Sequence, residues 1–369
     1  MPITAFSRHY VNELDVTQII GRLAADAGMS QLDAPAPDEV PENWRRFIRE
    51  DMECPCCFIL GAELVRGARS KGSKNIIRQP YFRYNQHRPL CDFAHSRMEG
   101  TAVPENLVSF GLARSALTRA VRQLVGSGIE KRILSQQAIR DMREWFFQAK
   151  SSSSFTVTLD PELPIWLAGI QSVSGWVLGS DSIALTQQVA ALPGFDWLAA
   201  ARREYASKHR DVIETMRDNR LWLSSRAKHL SKLVARHSGE MVLDPASLEM
   251  HYKLTIKLCR FISENYDPVK RHCKRDEQPP AMLAIAALLL FISDWDLAAA
   301  VSCFGQIAED ASIADETLGN VMGLNPWHDF EAWGDIRKLQ DLGLTVPAGA
   351  LEPQVEVSEI EALLRKRYQ

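Results

Sequence analysis

Along most of the chain, apolar residues return every three or four positions, the period of a helix with one face turned inward. Residues 16–27 and 42–51 follow it near the start, separated by a proline-rich break at Pro35, Pro37 and Pro41. Residues 106–125 place Leu107, Phe110, Leu117, Val121 and Leu124 on one side, and Gly126-Ser127-Gly128 is expected to end that helix. Ser135 is positioned to cap the next, which runs to about Lys150. Further on, helices are predicted over 195–236 with one break, 245–266, 280–292, 296–308, 329–341 and 357–367, the last with Ser358 as its cap. The run 281–292, AMLAIAALLLFI, has no polar face. It falls short of the roughly 18 to 20 residues that span a bilayer, so it is expected to be a buried core helix.

Residues 53–97 break the pattern. Gly67, Gly72 and Pro80 argue against a long helix there, and short strands are expected around 62–65 and 76–83. Serines 151–154 form the best linker candidate, and a brief strand is expected over 155–159. The resulting partition is a helical lead-in (1–52), a small module (53–103), a helical segment (104–150) and an α-helical domain (155–369). The fold class is therefore mainly α, a small metal-stapled α/β module followed by a helical body.

The chemistry is concentrated in that module. It opens Cys54-Pro55-Cys56-Cys57 and closes Cys91-Asp92-Phe93-Ala94-His95. Two thiolates in a C-x2-C knuckle and a downstream C-x3-H pair can complete a tetrahedral set for Zn²⁺. The expected ligands are Cys54, Cys57, Cys91 and His95. Cys56 is an alternate for Cys54 or Cys57, and His87, four residues before Cys91, is the reserve ligand. Four protein ligands leave no open position for water, which favours a structural over a catalytic metal. The chain has seven cysteines, an odd count, and its first residues lack the basic start and apolar run of a signal peptide. Both favour a reducing cytoplasm, where clustered cysteines bind metal more often than they pair.

On Cys54-Pro55-Cys56-Cys57 and Cys91-Asp92-Phe93-Ala94-His95, the module resembles the short zinc-binding region that opens CoiA-like competence proteins. The resemblance covers residues 53–97. The closing motif is CDFAH where that family has an HFAH-like close, and the stretch after the module is helical where the family continues into a nuclease-like domain. It implies a nucleic-acid setting, such as DNA uptake, a mobile element or defence, and carries no activity. A second resemblance, of His87-Arg88-Pro89-Leu90 to ββα-metal nucleases, would make His87 a base and Asn85 its partner.

Charge adds a candidate partner. Hydrophobic residues are 46% of the chain and charged ones 24%, ordinary for a globular protein, and the net charge of -3 excludes a uniformly basic surface. Between Gly61 and Arg97, however, Arg66, Arg69, Lys71, Lys74, Arg78, Arg83, Arg88 and Arg97 face only Glu63 and Asp92, a local +6. The first seven are the candidate nucleic-acid contacts, with Tyr81, Phe82, Tyr84 and Phe93 interleaved. A second stretch, 201–237, carries ten bases against four acids. No phosphate-binding or dinucleotide-binding glycine motif is present. The expected protein is a zinc-containing accessory factor whose partner is nucleic acid, DNA ahead of RNA, with no membrane. Its alternatives are a helical protein-interaction scaffold and a metal-dependent nuclease.

Overall fold

Helices supply most of the structure, and the strands gather into small sheets, none of more than three strands among the described residues. The computed structural model describes residues 2–69, 76–94, 104, 106–109, 115–174, 185–273, 278–313, 318 and 321–368. The chain begins with β1 (Thr4–Ser7), β2 (Asn12–Asp15), α1 (Val16–Asp26), α2 (Glu42–Asp51) and β3 (Met52–Glu53). Then come β4 (Glu63–Val65), β5 (Ala68–Arg69), β6 (Ile76–Arg78), β7 (Tyr81–Arg83) and β8 (Leu107–Ser109), followed by α3 (Ala116–Glu130) and α4 (Gln136–Ser152). β9 (Ser154–Thr156), α5 (Leu163–Ser174), α6 (Gln187–Ala190), α7 (Trp197–Lys208), α8 (Arg210–Asp218), α9 (Ala227–His237) and β10 (Met241–Leu243) come next. The remainder is α10 (Glu249–Asn265), α11 (Asp267–Lys270), α12 (Pro280–Ile292), α13 (Leu297–Ala308), β11 (Met322–Leu324), α14 (Phe330–Asp341) and α15 (Pro353–Tyr368).

The chain divides into two compact units, and these are interleaved rather than consecutive. Met1–Ser153 and Ala246–Phe330 form the first, Ser154–Pro245 and Glu331–Gln369 the second. The serine-rich stretch does mark a boundary, although Ser151 and Ser152 complete α4 and Ser154 opens β9. The expected single domain over 155–369 is corrected: the chain returns to the first unit after Pro245 and leaves it again after Phe330. Helical periodicity reports which face is buried but not in which core.

In the first unit, β1 is the central strand of a sheet ordered β2-β1-β3. Its register pairs Thr4 with Asp15 and Phe6 with Glu53. The helical part surrounds α12, whose residues 281–290 are all buried, against α3, α4, α10 and α13. Among the described residues no single helix is long and apolar enough to cross a membrane. In the second unit, Leu163, Trp166, Leu167 and Ile170 of α5 pack with Tyr205, Leu230, Leu233, Ile336 and Val357.

Three helix assignments change. Residues 107–109 are strand β8, paired with β11, and the following helix starts only at Ala116, with Ser115 Oγ accepting from the Thr118 N–H. That helix runs through Gly126-Ser127-Gly128 instead of stopping there. A Cβ on Gly128 would lie 2.6 Å from Leu134 Cδ1, so the missing side chain admits a neighbour rather than ending the helix. Ser127 Oγ donates to the carbonyls of Ile307 and Asp310. The stretch 195–236 is three helices, broken at His209 and again over 219–226. Ser358 lies inside α15 and donates to the Gln354 carbonyl, so it does not cap.

Candidate metal centre

The knuckle is built by β3 and the turn that follows it. Pairing of β3 with β1 fixes Met52 and Glu53, which delivers Cys54 at the strand end. The Cys54 N–H donates to the Ile59 carbonyl, and the Phe58 N–H donates to the Cys54 carbonyl. Phe58 takes φ 60 to close this loop, a left-handed conformation that a bulky residue holds only where packing requires it. Its ring lies under the Arg140 guanidinium, 4.8 Å from the centroid, and 6.3 Å from the Phe147 ring.

The second half comes from the loop after β7. The pairs Glu63↔Arg83, Leu64↔Phe82 and Val65↔Tyr81 fix β7 on β4, and the loop returns through Leu90 at φ 65. The Cys91 N–H then donates to the Arg88 carbonyl and the Ala94 N–H to the Cys91 carbonyl. This turn carries His87 and Cys91 together towards the knuckle.

Four donor atoms converge. One ligand atom each from Cys54, Cys57, His87 and Cys91 lies within 4.8 Å of all the others. His87 Nδ1 is 3.6 Å from Cys54 Sγ, 3.5 Å from Cys57 Sγ and 3.3 Å from Cys91 Sγ. A ring nitrogen has one proton or one lone pair, so it cannot hydrogen-bond three sulfurs at once. Near-equal distances to three sulfurs are those of four vertices around a shared centre. The three cysteines are buried. Burial pushes the Cys54 thiol up, while hydrogen bonds from Cys54 and Cys91 pull Cys57 down. A cation at the shared centre would favour the thiolate form of each cysteine. The cluster can hold a metal ion.

Three of the four expected ligands and the reserve histidine form this cluster. Cys54, Cys57 and Cys91 converge as expected, and among the described residues the fourth donor is His87. His95 lies outside the described residues. Spacing alone does not separate the two histidines, since each is four residues from Cys91. Cys56 is not one of the four converging donors. Its thiol faces Asp92 Oδ2 at 3.3 Å, and its sulfur accepts from the Asp92 N–H.

Asp92 is the hub of a support that sequence reasoning missed. Its carboxylate accepts from Asn106 Nδ2 at 2.7 Å and from Lys150 Nζ at 2.7 Å, and Lys150 also donates to the Leu90 carbonyl at 3.0 Å. Burial pulls the Lys150 ammonium down, but the adjoining Asp92 carboxylate, together with Cys56 and Cys91, more than offsets this and holds it above the ordinary lysine value. Near the other end of α4, Arg140 meets Glu53 at 2.9 Å. Ten residues of helix, about 15 Å, thus brace both halves of the module. The only sequence signal for Lys150 was one base beside a serine run. Lys150→Met is expected to lower metal affinity about 10–100-fold, the usual effect of losing a group that orients ligands. Competition against a chromophoric chelator measures it, with Lys150→Arg retaining part of the affinity.

The candidate nucleic-acid contacts fare differently. Arg66 pairs with Asp38 at 3.1 Å, and Arg83 chelates Glu63 across the β4–β7 pair. Arg78 covers the Tyr81 ring at 5.2 Å and Arg88 is exposed. The Arg69 side chain, Lys71 and Lys74 lie outside the described residues. Tyr81, Phe82, Tyr84 and Phe93 are buried, so their rings form the module's core and are not a stacking surface. In the nuclease-like reading, His87 Nδ1 faces the three sulfurs, and Asn85 Nδ2 is 3.5 Å from Glu63 Oε1.

Compared with family models, curated proteins and solved structures, the chain matches none of them.

Proposed function

We propose that the cluster is a structural zinc centre, Cys54, Cys57, His87 and Cys91, in an accessory protein that contacts nucleic acid. The observation that carries the zinc assignment is the set of edge lengths. Zn–S bonds of about 2.3 Å and a Zn–N bond of about 2.0–2.1 Å at tetrahedral angles require S···N edges of about 3.5–3.6 Å. The three measured edges are 3.6, 3.5 and 3.3 Å. Three thiolates and an imidazole suit zinc rather than hard cations such as magnesium or calcium, which take oxygen. With all four positions taken by protein, the ion's contribution is to shape: it joins the knuckle after β3 to the loop after β7, two segments with little regular structure of their own.

The nucleic-acid reading is supported by the local excess of bases, of which Arg78 and Arg88 are exposed, and by the resemblance to the zinc region of CoiA-like competence proteins. A competence, mobile-element or defence setting goes with that resemblance. The test is a salt titration of the zinc-loaded protein against fluorescent duplex DNA, single-stranded DNA and RNA. Binding whose logarithmic affinity falls linearly with the logarithm of salt supports the reading, because each phosphate contact releases condensed counterions. Absence of salt-sensitive binding at low ionic strength rejects it and favours the scaffold alternative.

A further inference from the structure

We infer that the exposed face of α9, bearing Lys228, Lys232 and Arg236, is the surface through which the second unit binds a nucleic-acid backbone. This rests on the nucleic-acid reading above and moves its main contact away from the module.

Among the described helices that contain a lysine or arginine, α9 is the one without an acid. Other helices of this chain set bases against acids one turn away, as Arg210 with Glu214, Lys253 with Glu249 and Arg365 with Glu361. Such mixed faces are what a merely solvated helix carries. The sequence of α9 is AKHLSKLVARH. Ala227, Leu230, Leu233 and Val234 are buried, and the helix packs against α5. Lys228, His229, Lys232 and Arg236 are exposed on the opposite side. Lys228, Lys232 and Arg236 follow at intervals of four, so they form one row with a rise of about 6 Å per step.

Within that row, Lys228 and Lys232 oppose the stability of their own helix. Like charges four apart repel. Lys228 also lies in the first turn, where the helix dipole disfavours a cation. The N-cap residue, Arg226, makes no side-chain capping hydrogen bond and is drawn instead to Asp335 and Glu331 of α14. Neither Lys228 nor Lys232 makes an ion pair among the described residues. A polyanion along the row would relieve the repulsion between Lys228 and Lys232. Of the other bases of the 201–237 stretch, Arg202 and Arg203 share α7 with Glu204 and Arg220 lies outside the helices, so none of these three belongs to an acid-free helical row. Lys208 pairs with Glu356, Arg210 with Glu214 and Arg217 with Asp218.

The experiment compares three zinc-loaded full-length proteins: wild type, Lys228→Gln/Lys232→Gln/Arg236→Gln, and Arg78→Gln/Arg88→Gln. Each is titrated with labelled duplex DNA, single-stranded RNA and polyglutamate over a range of salt. The α9 variant is expected to lose about 2 to 3 from the duplex log–log slope, while its thermal midpoint stays the same or rises because like charges have been removed. If the α9 variant keeps the wild-type slope while the Arg78/Arg88 variant loses it, the inference is overturned and the nucleic-acid reading survives. If wild type binds polyglutamate through α9 as tightly as it binds either nucleic acid, the surface serves an acidic protein and the inference fails. If wild type binds nothing in a salt-dependent way, the underlying reading fails with it.

Discussion

Purified under reducing conditions, the protein is expected to hold about one zinc per chain, and Cys57→Ser or Cys91→Ser to abolish that stoichiometry. The two histidines then separate the alternatives. His87→Ala should weaken zinc binding by orders of magnitude, whereas His95→Ala should leave one equivalent bound. The reverse result would overturn the His87 assignment. The effect on folding should be large because the ion's binding energy is spent on holding the module together. Structural zinc in small modules contributes about 10–16 kcal/mol of apparent binding energy, strongly dependent on pH. Chelation should therefore disorder the two ligand segments and open the module to proteolysis within residues 53–94. The helices of the second unit should keep their circular dichroism. Metal analysis paired with limited proteolysis, before and after chelation, reads both consequences on one sample.

Arg143→Met is expected to destabilise the first unit by about 3–5 kcal/mol, read as a lowered denaturant midpoint. Arg143 and Glu13 are each about 1% exposed, and their charged atoms meet at 2.9 Å. Arg143 Nη1 also donates to the Met322 carbonyl, and Thr4 Oγ1 donates to Glu13 at 2.6 Å. One ion pair thus joins β2, α4 and β11. Removing the cation leaves a buried carboxylate with no counter-charge, which is where most of the cost arises. The double change Arg143→Met with Glu13→Gln should recover much of the loss. It removes both charges and keeps an acceptor for Thr4, and Arg143 Nε and Nη2 already lack hydrogen-bond partners among the described residues. A double variant no more stable than the single would show that the pair's value lies in its shape rather than its charge.

Much of the secondary structure is legible along the chain because the information needed is local. The helix expected at 42–51 is α2, and that expected at 280–292 is α12, the latter bounded by a proline at its first position. Ser135 caps α4 as its position suggests, its Oγ accepting from the Ala138 N–H. Errors arise where a distant partner overrides the local signal. Leu107 has the spacing of a helix face but pairs with Leu324 in a two-stranded ladder. Gly126 and Gly128 signal a stop, yet Ile313 and Leu134 close over them from elsewhere in the unit.

The candidate site divides along the same line. Local sequence identifies three thiols and a histidine within forty-odd residues as a metal-binding set, since few other uses exist for that composition in a reducing environment. It does not choose between His87 and His95, which are placed symmetrically about Cys91. The left-handed turn at Leu90 and the β4–β7 pairing bring His87 to the sulfurs, and both depend on residues outside the motif. Lys150 and Asp92 lie 58 positions apart and become a support only when α4 packs beside the module. Charge is the extreme case. Counting bases singles out 61–97 and 201–237 equally, but only the fold reveals that Arg66 and Arg83 are matched by acids while, among the described residues, Lys228 and Lys232 are not. Composition and periodicity are properties of neighbours in sequence. Which thiol faces which ring, and which cation stays unmatched, are set by contacts between segments far apart in sequence.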